Sequence, residues 1–194
     1  MKKTLASLTL LATIGSGYVQ AEQPSFNYVE GGYTSIDDFD GFLVRGSYEF
    51  IDNIYLSGSY SALNDELSDL GIETDTDLDI ATIGLGVIIP VSDTASFYLE
   101  AEYIDLETSS SSNTGRPDFD ESEDGYELSM GVRAMLTSST EIYSELSHRD
   151  IFSASTEITF GGRQYLTDNL GLFAEYQRDD FETDTYNLGV TYKF

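Results

Sequence analysis

Apolar and polar residues alternate with a period of two along most of the chain, the mark of strands with one apolar face. The clearest run is the last. Tyr186, Leu188, Val190, Tyr192 and Phe194 alternate with Thr185, Asn187, Gly189, Thr191 and Lys193, and the chain stops on Phe194. The same reading from residue 26 onward predicts ten strands, near 26–36, 41–50, 54–63, 77–89, 95–107, 124–136, 140–149, 153–166, 170–179 and 184–194. Turn-like residues at 51–53, 90–94, 137–139 and 167–169 make every second connection short. The others, at 37–40, 64–76, 108–123, 148–152 and 180–183, are mostly longer and acidic. The 148–152 connection carries little turn signal, so eight strands is the alternative.

Each predicted strand is close to the roughly 9–11 residues that a tilted strand needs to cross a bilayer. One face is almost free of charge. It carries Val29, Gly31 and Tyr33 on the first strand, Phe42, Val44, Gly46, Tyr48 and Phe50 on the second, and Ile54, Leu56, Gly58 and Tyr60 on the third. Ala81, Ile83, Leu85, Val87 and Ile89 continue it on the fourth, Phe97, Leu99, Ala101 and Tyr103 on the fifth, and Tyr126, Leu128, Met130, Val132 and Ala134 on the sixth. Tyr48, Phe50, Ile54 and Phe97 lie near turns, and Tyr33, Tyr60, Tyr103 and Tyr126 near loops, which suits two aromatic girdles. Hydrocarbon offers no solvent to satisfy a sheet edge, so strands in a membrane must close. The expected fold is all-β: a closed antiparallel transmembrane barrel with short turns at one end, where both termini lie, and acidic loops at the other.

The N-terminus changes the picture. Lys2 and Lys3, an apolar stretch from Leu5 to Ile14, and then Val19, Gln20 and Ala21 have the form of a secretory leader cleaved after Ala21, which leaves 22–194 as one barrel domain. The apolar stretch is too short to span a bilayer as a helix. The chain contains no Cys, so no disulfide framework or lipid-anchor thiol is available. Of 9 basic residues two lie in the leader, so the remainder has 7 against 35 acidic. Such acidity argues against nucleic acid, which needs clustered Lys and Arg. The 14 Tyr and 11 Phe argue against disorder.

Opposite the uncharged face sit Glu30, Arg45, Glu49, Glu100, Glu102, Glu127, Arg133, Glu145, Glu157, Arg163, Glu175 and Lys193. Charges removed from bulk water must be paired and hydrogen-bonded, and carboxylates around a few guanidinium groups satisfy that. The expected interior is therefore a polar plug formed by a charge network. The alternative is a narrow cation-preferring channel lined by Glu, and barrels of about eight strands are filled whereas open channels appear at roughly 16 to 18. Acid is concentrated at 65–79 and 116–124. A calcium loop started at Asp118 fails, with Glu123 where Gly is required and Ser129 where Glu is required. Any divalent cations at these loops are expected to bind loosely, and no cofactor or metal site is expected.

These residues resemble small integral outer-membrane barrels of Gram-negative bacteria, the class containing OmpX and the OmpA transmembrane domain. The stretch NYVEGGYTSIDDFDGFLVRGSYEFIDNIYLSGSYS, 27–61, is similar more particularly to the diffusible-signal-factor-regulated family of small outer-membrane proteins. The resemblance implies an outer-membrane location with periplasmic termini, contact with outer-membrane lipid and lipopolysaccharide, and adhesion- or biofilm-type surface roles without catalysis. It also implies that Tyr186, Leu188, Val190, Tyr192 and Phe194 form the signal read by the barrel-assembly machinery. Some membrane barrels are enzymes built on a rim histidine. Here the single histidine, His148, is followed by Asp150 where the deacylase pattern has Ser, and no enzyme is expected.

Overall fold

The computed structural model describes residues 22–69, 72–113 and 119–194. The leader expected at 1–21 lies outside them. Ten strands follow in chain order: β1 (Tyr28–Ile36), β2 (Phe39–Ile51), β3 (Ile54–Asp69), β4 (Ile72–Ser92), β5 (Ala95–Ser112), β6 (Phe119–Met135), β7 (Thr140–Asp150), β8 (Ala154–Tyr165), β9 (Leu170–Asp179) and β10 (Asp184–Lys193). Each pairs antiparallel with its neighbours, and β1 pairs with β10, so the sheet is a closed barrel. This excludes the eight-strand alternative: β7 and β8 are separate strands joined at 151–153.

Every second connection is a short turn. The β2–β3 turn places Asn53 at φ 64°, a left-handed conformation that Asn tolerates better than most residues. The start of β1 and the C-terminus lie at this end, where the Phe194 amide donates to the Asn27 carbonyl at 3.1 Å.

The opposite end corrects the sequence reading. The segments expected as loops at 64–76 and 108–123 are largely strand: β3 and β4 stay in register to Asp69 opposite Ile72, and β5 and β6 to Ser110 opposite Phe119. The expected 148–152 connection is also partly strand, with His148, Arg149 and Asp150 inside β7. Beyond a membrane both faces of a strand meet water. Polar residues then occupy both, and the period-two hydrophobic signal fades while the hydrogen-bonded ladder continues.

The strands are steeply staggered. Starting from Ile36 at the long-hairpin end of β1, register partners run through Thr185, Gln177, Thr159, Glu145, Gly131, Tyr98 and Ile88. Ile88 then donates its amide to the carbonyl of Asn53 in a short turn at the other end. A closed barrel requires this kind of stagger, since closure and strand tilt are linked.

Outward-facing side chains form a continuous apolar belt. Val44, Leu56, Ile83, Leu85, Val87, Leu99, Met130, Val132 and Leu188 are all exposed, far more apolar surface than a water-soluble monomer presents. Rings gather at its two margins. Tyr48 stacks with Phe194 at the short-turn end, with centroids 6.3 Å apart, while Phe42 with Tyr60 (6.0 Å) and Tyr176 with Tyr186 (5.3 Å) mark the other. This is the surface of a protein that sits in hydrocarbon between two interfaces.

Candidate functional site

The alternation that puts apolar residues outside puts charge in the bore, and the bore divides into a closed base and an open well. At the base, six charges form one unbranched chain across strands. Arg45 on β2 holds Glu175 (2.9 Å) and Glu30 (2.7 Å); Arg163 on β8 holds Glu30 (2.7 Å) and Glu141 (2.7 Å); Arg133 on β6 holds Glu141 (2.7 Å). Three carboxylates alternate with three guanidinium groups, so each buried charge is compensated. Tyr143 donates to Glu175 at 2.8 Å and Asn187 donates to its other oxygen at 2.8 Å, which fills remaining acceptor sites.

Phe26, just before β1, packs inside the barrel beside this chain. Its buried ring lies 4.9 Å from that of Tyr55 and 5.8 Å from that of Tyr98, with Ile88 completing the cluster. The guanidinium of Arg133 sits 4.3 Å from the Phe26 centroid and donates to the Ser25 carbonyl at 2.7 Å, which joins the aromatic half to the ionic half. Room for the large inward rings comes from glycine on the neighbouring strand. Tyr55 is opposite Gly86, Tyr98 opposite Gly131 and Tyr143 opposite Gly161, and a Cβ on Gly131 would lie 2.5 Å from the Tyr98 ring.

Above this floor is a cavity of about 260 Å³ that extends to Ile36, Ser61 and Thr183 at the long-hairpin end. Its wall on β5–β8 carries Glu100, Glu102, Glu127, Glu145 and Glu157 with Arg149 as the cation among them. Arg149 donates to Glu127 at 2.7 Å and Tyr98 to Glu145 at 2.5 Å. Glu100 accepts from Tyr55 at 2.7 Å and closely from Ser57, and Glu102 accepts from Ser57 at 3.1 Å and Thr82 at 3.4 Å. Among the described residues no three His, Cys, Asp or Glu side chains are grouped to hold a metal ion.

The twelve lumen charges read from sequence thus fall into distinct places. Glu30, Arg45, Arg133, Arg163 and Glu175 meet in the chain at the base, and Glu100, Glu102, Glu127, Glu145 and Glu157 line the well. Two stand apart from both. Glu49 reaches into the adjacent turn and accepts the Asn53 amide at 2.6 Å, because it sits at the end of β2. Lys193 places its ammonium over the Tyr165 ring, 4.7 Å from the centroid, and reaches Glu141 only through that tyrosine's hydroxyl. Glu141 and Arg149 are further members of these groups that the sequence reading does not include. Both were accessible to it: Glu141, Tyr143, Glu145, Ser147 and Arg149 share one parity on β7. Phe26 carried no signal, since an aromatic side chain is equally suited to lipid or to a filled bore.

His148 points outward from β7, on the face opposite Ser147 and Arg149, so these three groups do not converge.

Comparison with known proteins bears on the barrel fold. Among solved structures, the KdgM porin in complex with disordered oligogalacturonate is similar with a TM-score of 0.53 and 13% identity, over 86% of this chain and 99% of that one. The NanC porin gives 0.53 and 12%, over 87% and 100%. Ail, the attachment invasion locus protein of Yersinia pestis, gives 0.49 and 13%, over 88% and 100%. No curated protein sequence matches the chain. The family model described as "Outer membrane protein beta-barrel domain" matches residues 6–194, and with its closed ten-stranded barrel and apolar belt the chain belongs to that outer-membrane β-barrel family.

Proposed function

We propose that the protein is a plugged outer-membrane barrel that works at the cell surface through its tall acidic hairpins, with the short turns and both termini on the periplasmic side. The observation that supports this reading is the base of the bore, where the buried ion-pair chain from Glu175 to Arg133 lies beside the buried Phe26 cluster. An ion would have to break several charge-assisted hydrogen bonds to pass.

The hairpins supply the surface. β3 continues past its last β2 partner at Asn64, and β6 begins seven residues before its first β7 partner at Tyr126. The strands β3–β6 therefore extend beyond their β2 and β7 partners as an acidic sheet whose edges are unpaired among the described residues, and an unpaired strand edge is a surface on which partners pair. A narrow cation-preferring channel is the second reading, favoured by the carboxylate wall of the well.

Two measurements separate them. Refolded protein in planar bilayers is expected to give no steady conductance, and replacing 65–76 by a two-residue turn is expected to leave a folded, heat-resistant barrel while abolishing attachment of cells that display it. Reproducible conductance that disappears in a Glu102→Gln/Glu157→Gln variant would instead establish the channel.

A further inference from the structure

We propose that the well is a binding site for a linear di- or polyamine that enters from the long-hairpin side. The base neutralises itself, three carboxylates against three guanidinium groups. The wall above it does not: five carboxylates face one Arg149, which is already engaged by Glu127. Glu157 accepts no hydrogen bond among the described residues, although it lines the cavity.

A second observation points to a ligand. Thr159, 3% exposed, lies on the same wall between Glu157 along β8 and its register partner Glu145 on β7, and its Oγ1 has no partner. On β10, the other neighbour of β9, Asn187, 6% exposed, spends its amide on Glu175 and leaves Oδ1, an acceptor, without a donor. Both residues line the cavity. Two unpartnered side-chain oxygens on one flank of an acidic cavity suit a ligand with several N–H donors.

The spacing selects the class of cation. No three acidic side chains are grouped for a metal ion among the described residues, and Ca²⁺ or Mg²⁺ needs such convergence. An ammonium group needs just one or two acceptors at a time. Methylene stems between ammonium groups fit the remaining lining, which includes Tyr55, Tyr98, Tyr143, Leu43 and Ile80. The acidic rim raises the local concentration of any such cation at the mouth.

Isothermal titration calorimetry on the full barrel in zwitterionic detergent tests this, with spermidine, 1,4-diaminobutane and MgCl₂ as probes at fixed ionic strength. Spermidine is expected to bind with a stoichiometry of about one, and Glu157→Gln, which removes no hydrogen bond, is expected to weaken it about tenfold, the effect of losing one charge-assisted contact. A rim variant, Glu121→Gln/Glu123→Gln, is expected to keep the affinity. Thr159→Val supplies a second lumen variant, with weaker spermidine binding expected and folding followed by the heat-dependent gel shift of intact barrels. The proposal is overturned if Mg²⁺ saturates the same site with equal affinity, if the rim variant loses binding while Glu157→Gln keeps it, or if spermidine gives no saturable heat.

Discussion

Glu30→Ala is expected to destabilise the barrel by about 3–5 kcal/mol, the range for breaking a buried ion pair from one side. Glu30 is the central acceptor of the chain at the base and serves both Arg45 and Arg163, at 2.7 Å each. Without it two buried guanidinium groups share what remains. The argument is sharpened by a double variant. Removing Arg163 as well leaves Arg45 with Glu175 and Arg133 with Glu141, two neutral pairs. Glu30→Ala/Arg163→Ala is therefore expected to be less unstable than the sum of its single variants, a coupling that neighbours in one network show. Glu182→Ala is the exposed control: its 4.0 Å contact with Arg178 lies at the rim, where water screens such pairs and they add little to stability. Urea unfolding in phospholipid vesicles reads all four variants. If Glu30→Ala falls no further than Glu182→Ala, the base is not a cooperative ionic belt.

The second large effect is expected at the seam between β1 and β10. Gly32 and Gly189 are register partners there, and a Cβ on Gly189 would lie 2.6 Å from the Gly32 Cα and closer still to the Gly31 carbonyl oxygen. The buried ring of Phe173 occupies the space inside, 2.8 Å from the same position. Two of these obstacles are backbone and cannot swing away, so Gly189→Ala must push the strands apart. The expected loss is about 1–3 kcal/mol, the usual range for overpacking, together with a lower yield of closed barrel on refolding. Gly31→Ala is the matching control, because its Cβ points outward and meets nothing nearer than 3.9 Å. Equal refolding yields for the two variants would show that the seam has slack.

Much of the fold is legible in the amino-acid sequence. Wherever one face meets lipid and the other the bore, the period-two pattern located strands and faces: β9 spans Leu170–Asp179 as read, and Val29, Phe42, Leu56, Leu85, Leu99 and Met130 point outward. The pattern failed where its physical cause ended. At Asp65–Asp69 and Phe119–Glu123 no lipid sorts the faces, so strand looked like acidic loop. It also could not rank the inward charges. Parity places Glu102 and Glu141 in the bore alike, but pairing depends on which strands face each other across it, and Glu141 meets Arg133 and Arg163 whereas Glu102 meets Ser57 and Thr82. Inward aromatics were hidden for a related reason. Tyr55, Tyr98 and Tyr143 are intelligible inside only once their glycine partners on the next strand are known.

The stagger that carries Ile36 at one end of β1 round to Asn53 at the other has a consequence for how local opening spreads. Local opening proceeds in contiguous cooperative units, and in a sheet contiguity runs across the strands through register partners as well as along the chain. In this barrel the path across the strands is a helix climbing from turn to lip. Loosening the lip beside Ile36 should therefore speed deuterium uptake at Thr185, Gln177 and Thr159 as well.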